Sequence, residues 1–541
     1  MGESTPTLES AVRARLAGQG AFEPGPRPGD LTVRLHRHED LAAAVASLTA
    51  EGLDLATLVA TDETETSRAD LELRYVFEPA VRPTVPLPDL FVTLVVSLDP
   101  ARPRVPSIAG QVPAANWHER EAKDLFGVTF NGHPDPRPLV VHDGWPKGVY
   151  PMRKAFDGRQ RVAVTVAPEF PHLVVEGEGV IEVPVGPIHA GIIEPGHFRF
   201  STVGDTVLHL EARLFYTHRG LEKRVEGMAV DDAFYVAERI CGVCSVAHGL
   251  GFCEAAEQIA GVELSGRARA LRTVALELER LYNHVGDIGN IAAGASYHYG
   301  TSVGLRMKEA LQQLGQQWTG HRFLRGLVTL GGVRLDATPE WGRAAVAALA
   351  STEDALANLM ERIENNPTVL DRFDTTGPLS RKDAVSLGVT GVAARASGVD
   401  RDARRDHPHA AYAGAQGVQV VVATEADGDV HARVNVRAAE ARESIRIIRA
   451  LLEGLPEGPI RTAMPEALPP WGVGLAAIES PRGSGIHWLR VDQRGRVDRY
   501  HLRSASYANW PAVPLAGQQA IVPDFPLVNK SFELCYACTD R

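Results

Sequence analysis

Leu271-Arg-Thr-Val-Ala-Leu-Glu-Leu-Glu-Arg-Leu-Tyr-Asn-His-Val-Gly-Asp-Ile288 is the stretch whose reading decides the fold class. Leu271, Val274, Leu278, Leu281, Val285 and Ile288 recur at a strict 3-4-3-4-3 spacing. That spacing lines one face of a long helix with apolar side chains. Residues 340–364 repeat it with Val346, Leu349, Leu356, Met360 and Ile363, and Ala441, Ile445, Ile448 and Leu452 do so again. Long helices with one apolar stripe each bury it by packing as a bundle, so the stripes read as core. Strands precede the helices from position 180 onward. Further upstream, Leu31–Leu35, Leu71–Phe77 and Leu90–Leu98 read as strands and Leu41–Ala50 as a helix. The expected class is α+β: a small N-terminal α/β domain, then a large domain with an N-terminal β region and a long-helix bundle. Pro136–Arg161 is rich in proline and charge, and Val162–Val185 reads as β-rich. The expected divisions are an N-terminal segment 1–29, an accessory domain 30–158, a linker 159–179 and the large domain 180–541. No internal repeat is visible.

At 541 residues the chain is long enough for several domains, each of roughly 100–200 residues. Its net charge is −11, from 56 basic and 67 acidic residues. That balance lacks the basic excess of a phosphate-neutralising protein, so nucleic acid is not an expected partner. Only seven of the basic residues are Lys. The excess of Arg reads as GC-rich coding, not as function. No window reaches the roughly 18–20 apolar residues of a membrane-spanning helix. The best run, Leu90–Leu98, contains Thr93 and Ser97. Residues 1–10 lack a basic-then-apolar signal pattern, and Pro6 breaks the myristoylation pattern.

Five cysteines are too few for a disulfide scaffold, so a cytoplasmic location is expected. Four of them form Cys241-Gly-Val-Cys244 and Cys535-Tyr-Ala-Cys538. Two intervening residues let both sulfurs of a pair reach one metal. Zinc ribbons keep their pairs close in sequence, whereas here 535 − 244 = 291 positions separate them. On spacing alone, zinc, a redox metal held by soft thiolates, and redox thiols all remain open. Cys253 stands outside both pairs and reads as a small buried hydrophobe.

Arg239-Ile-Cys-Gly-Val-Cys244 followed by His248, together with Cys535-Tyr-Ala-Cys538-Thr-Asp-Arg541, resembles the large subunit of nickel–iron hydrogenases. More narrowly, the chain resembles the formate hydrogenlyase-type (group 4, energy-converting) large subunit. There, modules similar to the 30 kDa and 49 kDa subunits of respiratory complex I are fused. Trp117-His-Glu-Arg-Glu-Ala-Lys-Asp-Leu-Phe-Gly127 and Gly132-His-Pro134 match the first module. Gly186-Pro-Ile-His189, His218-Arg-Gly-Leu-Glu-Lys223 and Gly388-Val-Thr-Gly391 match the second. So do Arg395-Ala-Ser-Gly-Val399 with Asp402 and Arg404, and Glu479-Ser-Pro-Arg-Gly483. The resemblance spans residues 30 to 541.

The resemblance implies a centre of Ni and Fe, with carbonyl and cyanide on iron (NiFe(CN)2CO), that cleaves or forms H2. Cys241 and Cys535 would be terminal nickel ligands, and Cys244 and Cys538 would bridge nickel to iron. Cys535, Glu194 of Glu194-Pro-Gly-His197 and Arg482 are the implied catalytic residues. Glu194 would relay protons from Cys535. Arg482 would lie over the diatomic ligands, and His248 would hydrogen-bond a bridging sulfur. No Fe–S cluster is expected in this chain. The implied partners are an Fe–S small subunit similar to the complex I 20 kDa subunit, membrane subunits similar to complex I, and maturation proteins. The chain would sit peripherally on the inner face of the cell membrane. Two other readings are the fused C/D subunit of a complex I-like NADH-quinone oxidoreductase, which forms the quinone site, and a non-catalytic zinc-binding scaffold. In the first of these, His189 matches a histidine near the quinone head group.

Two departures from the family pattern stand out. Glu533-Leu534 replaces Asp-Pro before the last pair, so proline's fixed φ is lost. Arg541 stands where many hydrogenases place a histidine beside a structural cation that a glutamate, here Glu222, helps bind. Arginine is a poor metal ligand. The expectation is that Arg541 pairs with Glu222, which argues against Mg or another third metal there. Relatives often lose a C-terminal tail at the position of Arg541, so the chain is expected to be a processed form or one without the tail.

Overall fold

A computed structural model describes residues 8–80, 89–166, 170–188, 194–414 and 417–541. His189 lies outside the described residues, and so does Pro168.

The N-terminal region is a five-stranded sheet in the spatial order Gly20–Pro24, Leu31–Leu35, Val92–Leu98, Leu71–Pro79, Leu53–Asp62. In it, Leu31–Leu35 pairs with Val92–Leu98 in parallel, and the other pairs are antiparallel. The strands Val92–Leu98, Leu71–Pro79 and Leu53–Asp62 are buried on both faces. Leu73, Tyr75, Phe77, Leu94 and Val96 share a core with the helix Leu41–Ala50 and the helix Ala115–Phe126. Val59, Val76 and Phe91 face the other way, onto Leu475, Ala477, Ile486 and Trp488. Those residues belong to a three-stranded sheet, Val473–Ser480, Gly483–Val491 and Val497–Arg503. The strand Leu53–Asp62 escapes a reading of the sequence because it is buried almost throughout and so shows no alternation.

The apolar core of this region does not stop at its end. It continues through Phe198, Phe200 and Leu210 into Tyr507, Trp510, Phe525 and Tyr536, near the second cysteine pair. By contrast, Val162–Val185 forms, among its described residues, the strand Val180–Val185. Its other valines are mostly solvated, Val166 at 97% exposure, so they have no buried face to alternate against.

The striped sequences form the helices Gly266–Gly294, Pro339–Glu364 and Val430–Glu453. Ser265, Thr338 and Asp429 start them, each side chain accepting a backbone N–H three residues on. The stripe from Leu271 to Ile288 is at most 1% exposed at every position. A fourth long helix, His298–Thr319, crosses the first closely. A Cβ on Gly304 would lie 2.6 Å from the Cα of Gly289, so only glycine permits this approach. The charged motif residues are internal. Arg395 binds Glu440 at 2.7 Å and Glu479 at 2.9 Å, and Arg404 binds Asp402 at 2.7 Å. Each of these buried charges is thus matched, as burial demands. Among the described residues, no helix is long and apolar enough to cross a membrane.

Candidate metal centre

The first cysteine pair sits in the turn between the helix Val230–Glu238 and the helix Ser245–Ala260. Cys244 occupies the N-cap of the second helix, and its N–H donates to Cys241 Sγ at 3.2 Å. The second pair is built alike. Cys535 caps the short helix Tyr536–Asp540, and Cys538 N–H donates to Cys535 Sγ at 3.3 Å. The sulfurs of Cys241, Cys244 and Cys538 and a nitrogen of His248 all lie within 4.8 Å of one another. His248 Nε2 is 3.2 Å from Cys538 Sγ. Cys535 is half-buried at the edge of this group, and its thiol interacts with those of Cys241 and Cys538.

Side chains outside the cysteine motifs hold the two turns together. Arg219 Nη2 donates to Ile240 O at 2.7 Å and to Ala537 O at 2.9 Å, one carbonyl from each turn. Ser506 Oγ accepts from Cys535 N at 3.0 Å, and Ser504 Oγ donates to Cys538 O at 3.0 Å. Sequence reasoning misses all three. Arg219 lies inside the motif His218–Lys223, but nothing in its spacing tells that its fork reaches both cysteine loops.

The electrostatics of the four sulfurs are split. Burial pushes the Cys241 and Cys538 thiols well above the usual range. Hydrogen bonds from Cys241 and Cys538 draw the Cys244 and Cys535 thiols well below it. Ionising all four sulfurs this close together would take a cation to neutralise them. Burial also lowers His248, which favours a neutral imidazole beside the sulfur.

Arg482 is buried near the group. Its Nε donates to Glu533 O at 2.9 Å, and Nη2 to Asp287 Oδ1 at 3.1 Å. Its Nη1 is buried and has no partner among the described residues. The charges of Cys244 and Cys535 are near enough to help raise its pKa. The turn carrying Arg482 is fixed from behind. Asn509 Nδ2 donates to Thr390 O at 3.0 Å and Arg482 O at 3.3 Å, and a Cβ on Gly391 would strike Arg482 O at 2.2 Å. Glu194 is half-buried near Cys535. Burial raises its carboxyl, and the nearby Cys535 and Asp540 charges add to this. The Glu533-Leu534 departure is absorbed locally. Glu533 takes the left-handed conformation (φ 52°) that ends the helix Phe525–Phe532, and its carboxylate accepts from Asn290 Nδ2 at 2.5 Å.

Arg541 pairs with Glu222, as expected: Nη1 lies 2.9 Å from Glu222 Oε1. Its Nη2 also binds Glu121 Oε2 at 2.6 Å, a contact that no feature of the sequence announces. Glu222 is bound further by Arg499 at 2.8 Å. Burial would raise the Glu222 carboxyl, but Arg499, His501 and Arg541 hold it well below the usual range.

Cys253 lies on the helix Ser245–Ala260, fully buried, outside the thiol group. Cys253→Ala is expected to leave metal content unchanged, at a stability cost of about 1 kcal/mol. Metal analysis beside a melting curve checks this, and loss of metal would displace the ligand assignment.

Three family models match the chain: Respiratory-chain NADH dehydrogenase, 30 Kd subunit, over residues 33–162; Nickel-dependent hydrogenase over 219–287; and Respiratory-chain NADH dehydrogenase, 49 Kd subunit, over 299–472. Formate hydrogenlyase subunit 5 of Escherichia coli (strain K12) is 34% identical over 457 residues, covering 83% of this chain and 79% of that protein. The chain belongs to the family of formate hydrogenlyase-type nickel–iron hydrogenase large subunits. This family overlaps in sequence with complex I. The fused C/D subunit of NADH-quinone oxidoreductase from Phocaeicola vulgatus is 30% identical over 421 residues, covering 74% of this chain and 80% of that one. Among solved structures, a chain of the membrane-bound sulfane sulfur reductase, an archaeal respiratory membrane complex, aligns with a TM-score of 0.63. It is 26% identical and covers 67% of this chain and 99% of that one.

The donor set here fits the family's metal group. The thiols supply soft ligands, and the orphaned, buried Arg482 Nη1 is a donor waiting for an acceptor that the described residues do not provide.

Proposed function

We propose that the chain is the catalytic large subunit of a membrane-associated nickel–iron hydrogenase that cleaves or forms H2. The observation that carries this is the convergence of two distant Cys-x-x-Cys pairs near an arginine whose buried Nη1 has no partner among the described residues. Cys241, Cys244, Cys535 and Cys538 would hold the centre. When bound, nickel and iron in soft sulfur ligation supply redox chemistry toward H2. The chain's own residues handle the proton. Cys535 Sγ, at the half-buried edge of the group, would be the first base for a proton released on H2 cleavage. The Glu194 carboxyl, raised by burial and by the nearby Cys535 charge, is the next carrier. With its Nε2 protonated, His248 would donate to Cys538 Sγ at 3.2 Å and withdraw electron density from it. Arg482 Nη1 donates into the site and stabilises negative charge there. Electrons leave through a partner's Fe–S cluster, since Cys253 is the one cysteine outside the four ligands. Attachment to the membrane runs through partner subunits, in keeping with the membrane complex that holds the structural relative.

The test is metal analysis of the isolated complex with an H2-dependent dye-reduction assay. Nickel and iron near one each per chain, with activity, is the expected result. A complex with neither nickel nor H2-dependent dye reduction would defeat the proposal in favour of a quinone-type or scaffold role.

A further inference from the structure

The helix Ser245–Ala260 begins immediately after Cys244, so its first amides have no partner within the helix. The Cys244 side chain does not cap them. A residue 33 positions further on from Val246 does so instead: Glu279 Oε1 accepts from Val246 N at 2.7 Å, and Glu279 Oε2 accepts from Ala247 N at 3.0 Å. Both carboxylate oxygens are thus used on two consecutive amides, and the side chain is 0% exposed. One turn along the same helix, Asn283 Nδ2 donates to Val243 O at 2.8 Å, within the Cys241–Cys244 turn. Glu279 and Asn283 therefore grip the turn on either side of Cys244, one through N–H groups and one through a carbonyl. Both sit on the helix Gly266–Gly294, which is buried along most of its length. The rigid helix thus sets the position of the first cysteine pair.

We propose that Glu279, assisted by Asn283, is a positioning residue for the thiols of Cys241 and Cys244. It fixes the start of the cysteine helix against the bundle and so sets where Cys244 Sγ meets the second pair. This rests on the reading that the four thiols hold a metal. The geometry also explains why a carboxylate, and not an amide, stands there: a glutamine would present its NH2 group to one of the two amide donors and lose that bond.

The test compares Glu279→Gln with Ser265→Ala in the isolated complex. Ser265→Ala removes an ordinary N-cap at the far end of the same bundle helix, where Ser265 accepts from Ala268 N. Two readouts are taken: amide hydrogen exchange at Val246 and Ala247, and nickel content relative to wild type. The expected result for Glu279→Gln is exchange at these amides faster by tenfold or more and nickel reduced severalfold, while Ser265→Ala changes neither. Unchanged exchange at Val246 and Ala247 would overturn the proposal, as would equal nickel loss in both variants or full nickel retention in Glu279→Gln. If wild type carries no nickel, the hydrogenase reading fails by itself, while the exchange still reports whether Glu279 holds the turn.

Discussion

Cys535→Ser is expected to remove nickel from the chain and to abolish H2-dependent dye reduction, while the fold survives. Serine replaces a soft, polarisable thiolate with a hydroxyl that does not ionise near neutral pH, and so removes a ligand that nickel needs. The local structure does not need the sulfur. Cys535 acts as an N-cap, its side chain accepting from Cys538 N, and serine is a preferred residue for that task. The helix Tyr536–Asp540 is therefore retained, which separates loss of chemistry from loss of folding. Nickel per chain, dye reduction and the melting midpoint, measured on one preparation, decide the matter. Near-stoichiometric nickel in the variant would show that Cys535 is not a ligand.

Arg541→Ala is expected to cause the largest loss of stability among single changes at the site. It strips Glu121 of a 2.6 Å partner and Glu222 of a 2.9 Å partner, both carboxylates being buried. Breaking a buried pair from one side leaves uncompensated charge and costs about 3–5 kcal/mol. Arg499 still binds Glu222, which places the expected value at the lower end, about 3 kcal/mol. Arg541→Lys recovers only part, because an ammonium cannot span both carboxylates as the guanidinium fork does. The pH dependence has a definite sign. The folded Glu222 carboxyl lies well below the ordinary glutamate value of 4.5. It therefore contributes stability above that value, and the contribution is lost as pH falls through the depressed folded value. The gap between wild type and Arg541→Ala is widest near neutrality and narrows in acid. Denaturation midpoints from about pH 8 down to about pH 2 check this, and a gap that stays constant through the acid range below 4.5 would show that the loss is packing alone.

The stripe from Leu271 to Ile288 is legible because a helix period needs no knowledge of distant residues. The opposite face of that helix is not. Arg272, Glu277, Glu279, Arg280, Asn283, His284 and Asp287 look like a solvated face, yet all are buried. Their partners are far away in the chain: Glu257 for Arg272, Arg404 and Ser444 for Glu277, Glu440 for His284, and Arg482 for Asp287. Charge patterning cannot reveal such long-range matches. At the site, spacing marks four cysteines as ligands and Cys253 as a bystander. That the two pairs meet follows only from family resemblance, because 291 positions of separation carry no geometric information. Arg541 beside Glu222 is legible as a substitution. Glu121 is not, since its carboxylate comes from the other end of the chain.

The shared interior of the two modules has a consequence for how the chain is divided. Relatives of each half exist as separate family models, yet here Phe198, Trp510 and Tyr536 lie in one interior with Leu73 and Phe126. Val164 and Val174, on the peptide link between the halves, are exposed and add nothing to that interior. Scission beside Val164 is therefore expected to leave two fragments that co-elute on size-exclusion chromatography, and separate elution would show that the peptide link holds them together. Fusion fixes the stoichiometry of the halves at one to one, and the grip between them comes from the packed interior.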